Sequence, residues 1–434
     1  MSNKFYVVKL GCDKNDVDAD VMRGLISTAG FQEVEDPEMA NIIIVNTCGF
    51  IKAAKEESID AILAATEQSN NVKVYVTGCL AERYADELAE EIPEVVSFIG
   101  VGHFEQMAEI LQKDAPDKIY KENKNIGHSF TKRKIDNMVS AFVKIADGCN
   151  SRCSYCAIPT IKGNYQSRDL SDIISEVRLL ASSGVKEINL VAQNTTAYGM
   201  DLNTNVTIID LLKSLLEVEG IEWFRLLYCY PGYISEELIE LIAKEDRIAS
   251  YLDIPIQHAH PEILKAMKRG ARQLIKPEWF SSLRERINNL TLRTTLIVGF
   301  PGETDEEYEY LKEFINEVKF DHLGVFGYSE EENTDAASLK GKVSQETINE
   351  RLNELVDEQK YIAYARKKHL VGKVFKVIIE KKLSRTRYEV RSEANAPGID
   401  ASFYVESNND IEIGQVVMVR IDEINFDSLL GSVI

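Results

Sequence analysis

Between residues 139 and 328, six β-rich runs alternate with stretches of helical period, and no other feature of the chain constrains its fold as strongly. The runs are 139–146, 187–192, 223–229, 251–255, 293–298 and 322–328, with helical patterns at 171–181, 208–216, 235–244 and 305–318 between them. Strands interleaved with helices imply a parallel sheet, and six such units in a row predict an incomplete relative of the eight-fold barrel. Residues 346–370 read as one long, charged helix that closes this segment. In barrels of this kind, chemistry is assembled where the strands end.

Two further segments flank the predicted barrel. Runs at 5–10, 42–45 and 72–76 read as strands, and 16–29, 53–68 and 81–91 as the helices that follow them. This predicts a second parallel α/β unit of Rossmann or flavodoxin type. The stretch 121–134 is dense in Lys, Asn and Gly and reads as a connector. After residue 371 short β-rich runs (374–379, 388–390, 403–405, 416–421) are separated by turn residues, the pattern of a small antiparallel barrel of oligonucleotide-binding type. The expected division of this α/β chain is therefore 1–120, a linker 121–134, 135–369 and 370–434.

With 44% hydrophobic residues, the 434-residue chain has the means to build several cores. It lacks the run of about 18 apolar residues that a membrane helix needs, and residues 1–10 do not have the layout of a signal peptide. The expectation is a cytoplasmic protein without membrane contact. A formal net charge of −20 repels nucleic-acid phosphates and favours a basic partner. Two short basic clusters, Lys132-Arg133-Lys134 and Arg366-Lys367-Lys368, read as solvated charge; RNA contact is open but not required.

Seven cysteines in a long chain without a secretory signal point to metal or redox chemistry rather than to disulfides. Cys149, Cys153 and Cys156 form a C-x3-C-x2-C loop directly after the first predicted barrel strand. Thiolates select iron–sulfur clusters or zinc. Structural zinc closes its tetrahedron with four protein ligands. Three close thiolates without a fourth ligand nearby leave a metal position open, as a four-iron cluster with one free iron requires. Cys12, Cys48 and Cys79 each lie just beyond a predicted strand, beside Gly11, Gly49 and Gly78. Ligands bind at that edge of an open α/β sheet, so these three are expected to converge on a second cluster. Cys229 has no thiol neighbours and reads as a packed structural residue.

The C-x3-C-x2-C loop resembles that of the radical S-adenosylmethionine superfamily. The order of the three segments, with dispersed cysteines first, resembles the methylthiotransferases within it, whose last segment is a TRAM domain. The resemblance implies two [4Fe–4S] clusters and S-adenosylmethionine as cofactors. In it, Cys149, Cys153 and Cys156 hold the cluster that cleaves S-adenosylmethionine to an adenosyl radical. Cys12, Cys48 and Cys79 hold the auxiliary cluster that carries the sulfur. It also implies that Tyr155 lies near the adenine, and Gln193 and Gln257 are candidate contacts of S-adenosylmethionine, as are their neighbours Asn194 and His258.

Local words favour the branch that modifies a ribosomal protein over the branch that modifies tRNA adenosine. They are Leu10-Gly11-Cys12-Asp13-Lys14-Asn15, Asn46-Thr47-Cys48-Gly49-Phe50-Ile51, Ala54-Lys55-Glu56-Glu57-Ser58 and Ile254-Pro255-Ile256-Gln257-His258-Ala259. Asp13 stands where that branch often has Pro. The implied substrate is an aspartate β-carbon of ribosomal protein S twelve; the resemblance names neither sulfur donor nor reductant. Gly299-Phe300-Pro301-Gly302 is expected to form a tight turn near the adenosyl site. A zinc-bound, non-catalytic ribosome-binding factor is the alternative of another class.

Overall fold

The computed structural model describes residues 3–68, 72–122, 127, 129–136, 138–400, 403–426 and 428–434. The first unit is a six-stranded, wholly parallel sheet ordered Gln32–Glu33, Lys4–Lys9, Ile42–Thr47, Lys73–Gly78, Ser97–Ile99, Ile119–Tyr120. All six residues of Ile42–Thr47 are buried, as expected of a central strand covered on both faces. Helix Asp13–Thr28 packs one face through Val17, Val21 and Ile26. Helices Lys52–Glu67 and Cys79–Glu91 cover the other through Ile62, Leu80 and Leu88. The chain leaves strand Lys4–Lys9 first to one side and then to the other, so Cys12 and Cys48 sit at the switch point where such sheets bind ligands.

The second unit is an open sheet of six parallel strands in chain order: Ser140–Lys144, Glu187–Val191, Trp223–Leu226, Ile248–Asp253, Thr291–Val298 and His322–Gly327. Its first and last strands do not pair, which makes it a partial barrel. Helix Gln345–Lys367 begins at Ser344, whose side chain accepts the Thr347 N–H, and lies along the last strand with Ile348, Leu355 and Ile362 buried. The third unit is a closed five-stranded barrel, Val374–Lys382, Arg387–Ser392, Phe403–Glu406, Leu429–Val433 and Val416–Ile424 in order around it. Ile378 and Ala396 of this barrel join Val191, Trp223, Leu227, Ala249 and Tyr251 in one apolar cluster.

The reading of the two basic clusters as solvated charge needs correction. The 121–134 stretch is not simply a polar linker, although residues 123–126 and 128 lie outside those described. Phe130 is fully buried, and Arg133 donates to Asp20 at 2.8 Å and to Glu176 at 2.9 Å, all three buried. Lys134 pairs with Glu33. The cluster read as solvated charge thus joins the first unit to the second. Arg366 likewise pairs with Asp321 at the base of the partial barrel.

Candidate active site

Each cysteine of the dispersed set is placed by the end of a strand. Cys12 caps helix Asp13–Thr28, Cys48 directly follows strand Ile42–Thr47, and Cys79 opens helix Cys79–Glu91. Gly11 and Gly78 adopt φ of +98° and +101°, which favours glycine. A Cβ on Gly11 would lie 2.9 Å from Cys48 Cβ, so the two cysteine turns touch where only glycine fits. Asn15 ties them together, its side-chain amide donating to the carbonyls of Leu10 (2.8 Å) and Thr47 (3.1 Å). Ser58 Oγ accepts the Cys48 N–H at 3.0 Å and donates to the Cys48 carbonyl at 2.9 Å.

The second triplet lies on the loop after strand Ser140–Lys144. The Cys149 N–H donates to the Gly163 carbonyl at 3.1 Å, and the Ser154 N–H to that of Met267 at 3.0 Å. The Ser151 N–H lies 3.3 Å from Cys149 Sγ, and Arg269 Nη1 3.6 Å from Cys153 Sγ. Such N–H groups and the guanidinium favour a thiolate over a thiol.

One cavity of about 780 Å³ is lined by all six cysteines, together with Tyr155, Gln193 and Gln257. Burial raises the thiols of Cys48 and Cys149 and pushes those of Cys79 and Cys156 up to about 12. A cluster bound through these thiols would have to displace their protons, so its affinity would fall with acid. Among the described residues no three His, Cys, Asp or Glu side chains are disposed around a single metal ion. A four-iron cluster binds each thiolate through a different iron, so its three sulfurs need not converge on one point. Two all-thiol sets beside buried cations suit anionic clusters.

The other expected residues divide. Gln193 donates from Nε2 to Asp147 Oδ1 at 2.8 Å, while its buried Oε1 has no partner and can accept from a ligand. Gln257 holds φ of +73° with its backbone anchored to Thr295 and Ile297, and its side chain lines the cavity. Asn194 also lines it. His258 does not: it is fully buried 3.3 Å from Glu303. Cys229 is buried and lines the cavity wall, its thiol raised far above the ordinary range by burial. The turn at Gly299 packs away from the cavity lining. It seats the closing helix, where a Cβ would lie 2.2 Å from Ile348 Cγ1, and none of its residues lines the cavity.

A set of charges under the dispersed triplet was not foreseen. Lys144 pairs with Asp18 and with Asp147 (3.0 Å), and Lys162 lies 3.4 and 3.3 Å from the same two carboxylates. Burial alone would raise the Asp147 carboxyl, but the Lys144 and Lys162 ammoniums outweigh it and hold the group well below the usual range. Lys14 and Arg269 complete the cationic surroundings. In sequence these lysines look like surface residues; only the docking of the first unit on the second buries them.

Family models match the chain in three places. Residues 4–100 match the uncharacterized protein family UPF0004, 143–315 the radical SAM superfamily and 371–434 the TRAM domain. A protein of Clostridium kluyveri named ribosomal protein uS12 methylthiotransferase RimO is 41% identical, over 99% of this chain and 98% of its own length. One of the same name from Pelobacter propionicus is 42% identical with the same coverage. The chain belongs to the RimO family of radical S-adenosylmethionine methylthiotransferases. As a RimO-family enzyme it uses S-adenosylmethionine and two [4Fe–4S] clusters. A solved structure of the radical S-adenosylmethionine methyltransferase TsrM from Kitasatospora setae, with cobalamin and a [4Fe–4S] cluster bound, shares the fold. Its TM-score is 0.56 at 15% identity, covering 77% of this chain and 74% of the other. Among the described residues no helix is long and apolar enough to cross a membrane.

Proposed function

We propose that this chain methylthiolates the β-carbon of an aspartate in ribosomal protein uS12, Cys149, Cys153 and Cys156 holding one cluster and Cys12, Cys48 and Cys79 the other. The observation that carries this reading is the single cavity that both triplets line. When bound, the first cluster supplies the electron that cleaves S-adenosylmethionine to a radical able to remove a Cβ hydrogen, and the second supplies the methylthio sulfur. The protein's part is to hold both thiolate sets at one cavity, so that a substrate side chain between them reaches both.

Arg269, beside Cys153 and stacked 4.5 Å from the Tyr230 ring centroid, is placed to offset negative charge at the first cluster. Gln193 Oε1 and the Gln257 and Tyr155 side chains are available to bind S-adenosylmethionine. Lys162, held by Asp18 and Asp147, brings positive charge to Cys79 and Cys12. The acidic surface suits a basic ribosomal protein rather than an RNA, and such a substrate would place the enzyme in the cytoplasm. The test is to give the reconstituted protein S-adenosylmethionine with either uS12 or tRNA and to weigh both. A methylthio gain on an aspartate-containing peptide of uS12 is expected. The same gain on tRNA alone, or a colourless zinc protein without iron, would overturn the proposal.

A further inference from the structure

Four basic side chains line the shared cavity: Lys9, Lys14, Lys162 and Arg269. Three of them have acceptors. Lys9 pairs with Asp20, Lys162 lies between Asp18 and Asp147, and Arg269 donates to the Pro255 carbonyl. Lys14 differs. It is only 8% exposed, and its neighbours are the Tyr228 side chain, the Asp13 carboxylate and Cys12, with no carboxylate in direct ion-pair contact among the described residues. Its ammonium lies over the face of Tyr228, 3.5 Å from the ring centroid. The neighbouring Asp13 carboxylate is engaged by the Tyr228 hydroxyl at 3.0 Å. The ring, Asp13 and Cys12 lie on the protein side of the ammonium, and because Lys14 also lines the cavity it can take an anion there as a further partner.

Tyr228 is held there at a cost. Its φ is +58°, a left-handed conformation that bulky residues avoid, and its N–H donates to Asp253 Oδ2 at 2.9 Å. Strain of this kind persists where the surroundings enforce it, and it gathers at functional sites. Lys14 stands two residues after Cys12, on the first turn of helix Asp13–Thr28, whereas Tyr228 follows barrel strand Trp223–Leu226. The pair therefore spans from the auxiliary unit to the partial barrel, inside the cavity that both triplets line.

In the reaction proposed above, the side chain that loses hydrogen and gains sulfur must enter this same space. It is an aspartate, with its carboxylate one bond from the reacting carbon. We propose that the Lys14 ammonium receives the carboxylate of the target aspartate and is the residue that makes the site specific for an acidic side chain. The inference rests on the proposed function. An ion pair at the carboxylate fixes the adjacent Cβ between the two triplets, and an uncharged amide or a nucleobase would leave the ammonium without its counter-ion.

The experiment uses the full chain, reconstituted anaerobically with both clusters and S-adenosylmethionine. Equilibrium binding is measured for uS12 and for uS12 in which the modified aspartate is changed to asparagine. Wild-type enzyme is expected to bind the aspartate form about ten- to hundredfold more tightly, the range of one charge-assisted hydrogen bond. Lys14→Met is expected to lose that preference while keeping its iron content and visible spectrum, and Lys14→Arg to restore part of it. Equal binding of the two uS12 forms by wild type, an arm that needs no enzyme variant, overturns the proposal. So does a Lys14→Met enzyme that keeps the preference or that loses iron, since iron loss would make Lys14 a counter-charge to the auxiliary cluster. A wild-type holoenzyme that leaves uS12 without a methylthio group would defeat the underlying function instead, and the two failures are thereby distinguished.

Discussion

Gly11 shows how narrowly the auxiliary site is made. With φ of +98° and Cys48 Cβ only 2.9 Å from where its own Cβ would be, alanine there meets both backbone strain and a clash. Gly11→Ala should cost about 1–2 kcal/mol from the left-handed conformation alone, and should part the Cys12 and Cys48 turns. We expect the variant to fold but to take up roughly half the iron, because one of two similar clusters is lost; full iron uptake would show that the contact is dispensable. The six cysteines were readable in the sequence because each stands where a strand ends, and a strand end is visible from local pattern. Lys14, Lys162 and Arg133 were not readable. Such a lysine or arginine looks solvated in the sequence, and its burial is set by a surface more than a hundred residues away in the chain. Two anticipated contacts do not line the cavity for a related reason: His258 and the Gly299 turn follow barrel strands as expected, yet they pack against Glu303 and Ile348.

The long elements followed their patterns, and helices Ile208–Leu216 and Asp305–Val318 coincide with the expected 208–216 and 305–318. What escaped were strands too short to carry alternation, such as Gln32–Glu33, Ser97–Ile99 and Ile119–Tyr120, and the last barrel strand Leu429–Val433. Helix Asp13–Thr28 misleads in another way. Its polar residues Asp18 and Asp20 suggest a solvent face, yet Asp18 is buried against Lys144 and Lys162 of the partial barrel and Asp20 against Arg133 of the connecting stretch. Strand Glu187–Val191 opens with a fully buried Glu187, which pairs with Arg225 at 2.8 Å and with Arg391 of the third unit. Burial opposes ionisation there, but Arg391 and Arg225 outweigh it and lower the carboxyl to about 2. A depressed carboxyl contributes stability above its unfolded value near 4.5, and that contribution is lost as pH falls toward 2. Glu187→Gln leaves two buried guanidiniums short of a partner and should cost about 3–5 kcal/mol at neutral pH. Denaturant titrations should show the gap between variant and wild type closing as pH falls through that window; a gap independent of pH would contradict the assignment.

At the level of the whole molecule, the site exists only because two α/β units dock with their strand ends toward one cavity. Besides the buried charges around Asp18 and Asp20, the contact is fastened by Glu331, which is 2% exposed in its side chain and lies 2.9 Å from both Lys55 and Arg83 of the first unit. Neither triplet alone explains sulfur insertion. Sulfur insertion therefore needs two clusters facing one space. The most direct test is an anaerobic iron and sulfide count on the wild-type chain and on two variants, each with one triplet changed to alanine. About eight irons are expected for the wild type and about four for each variant, every form retaining a brown chromophore. Only the variant that keeps Cys149, Cys153 and Cys156 should still cleave S-adenosylmethionine. A wild-type count of about four, or loss of all iron when Cys12, Cys48 and Cys79 are replaced in a folded chain, would contradict a two-cluster site.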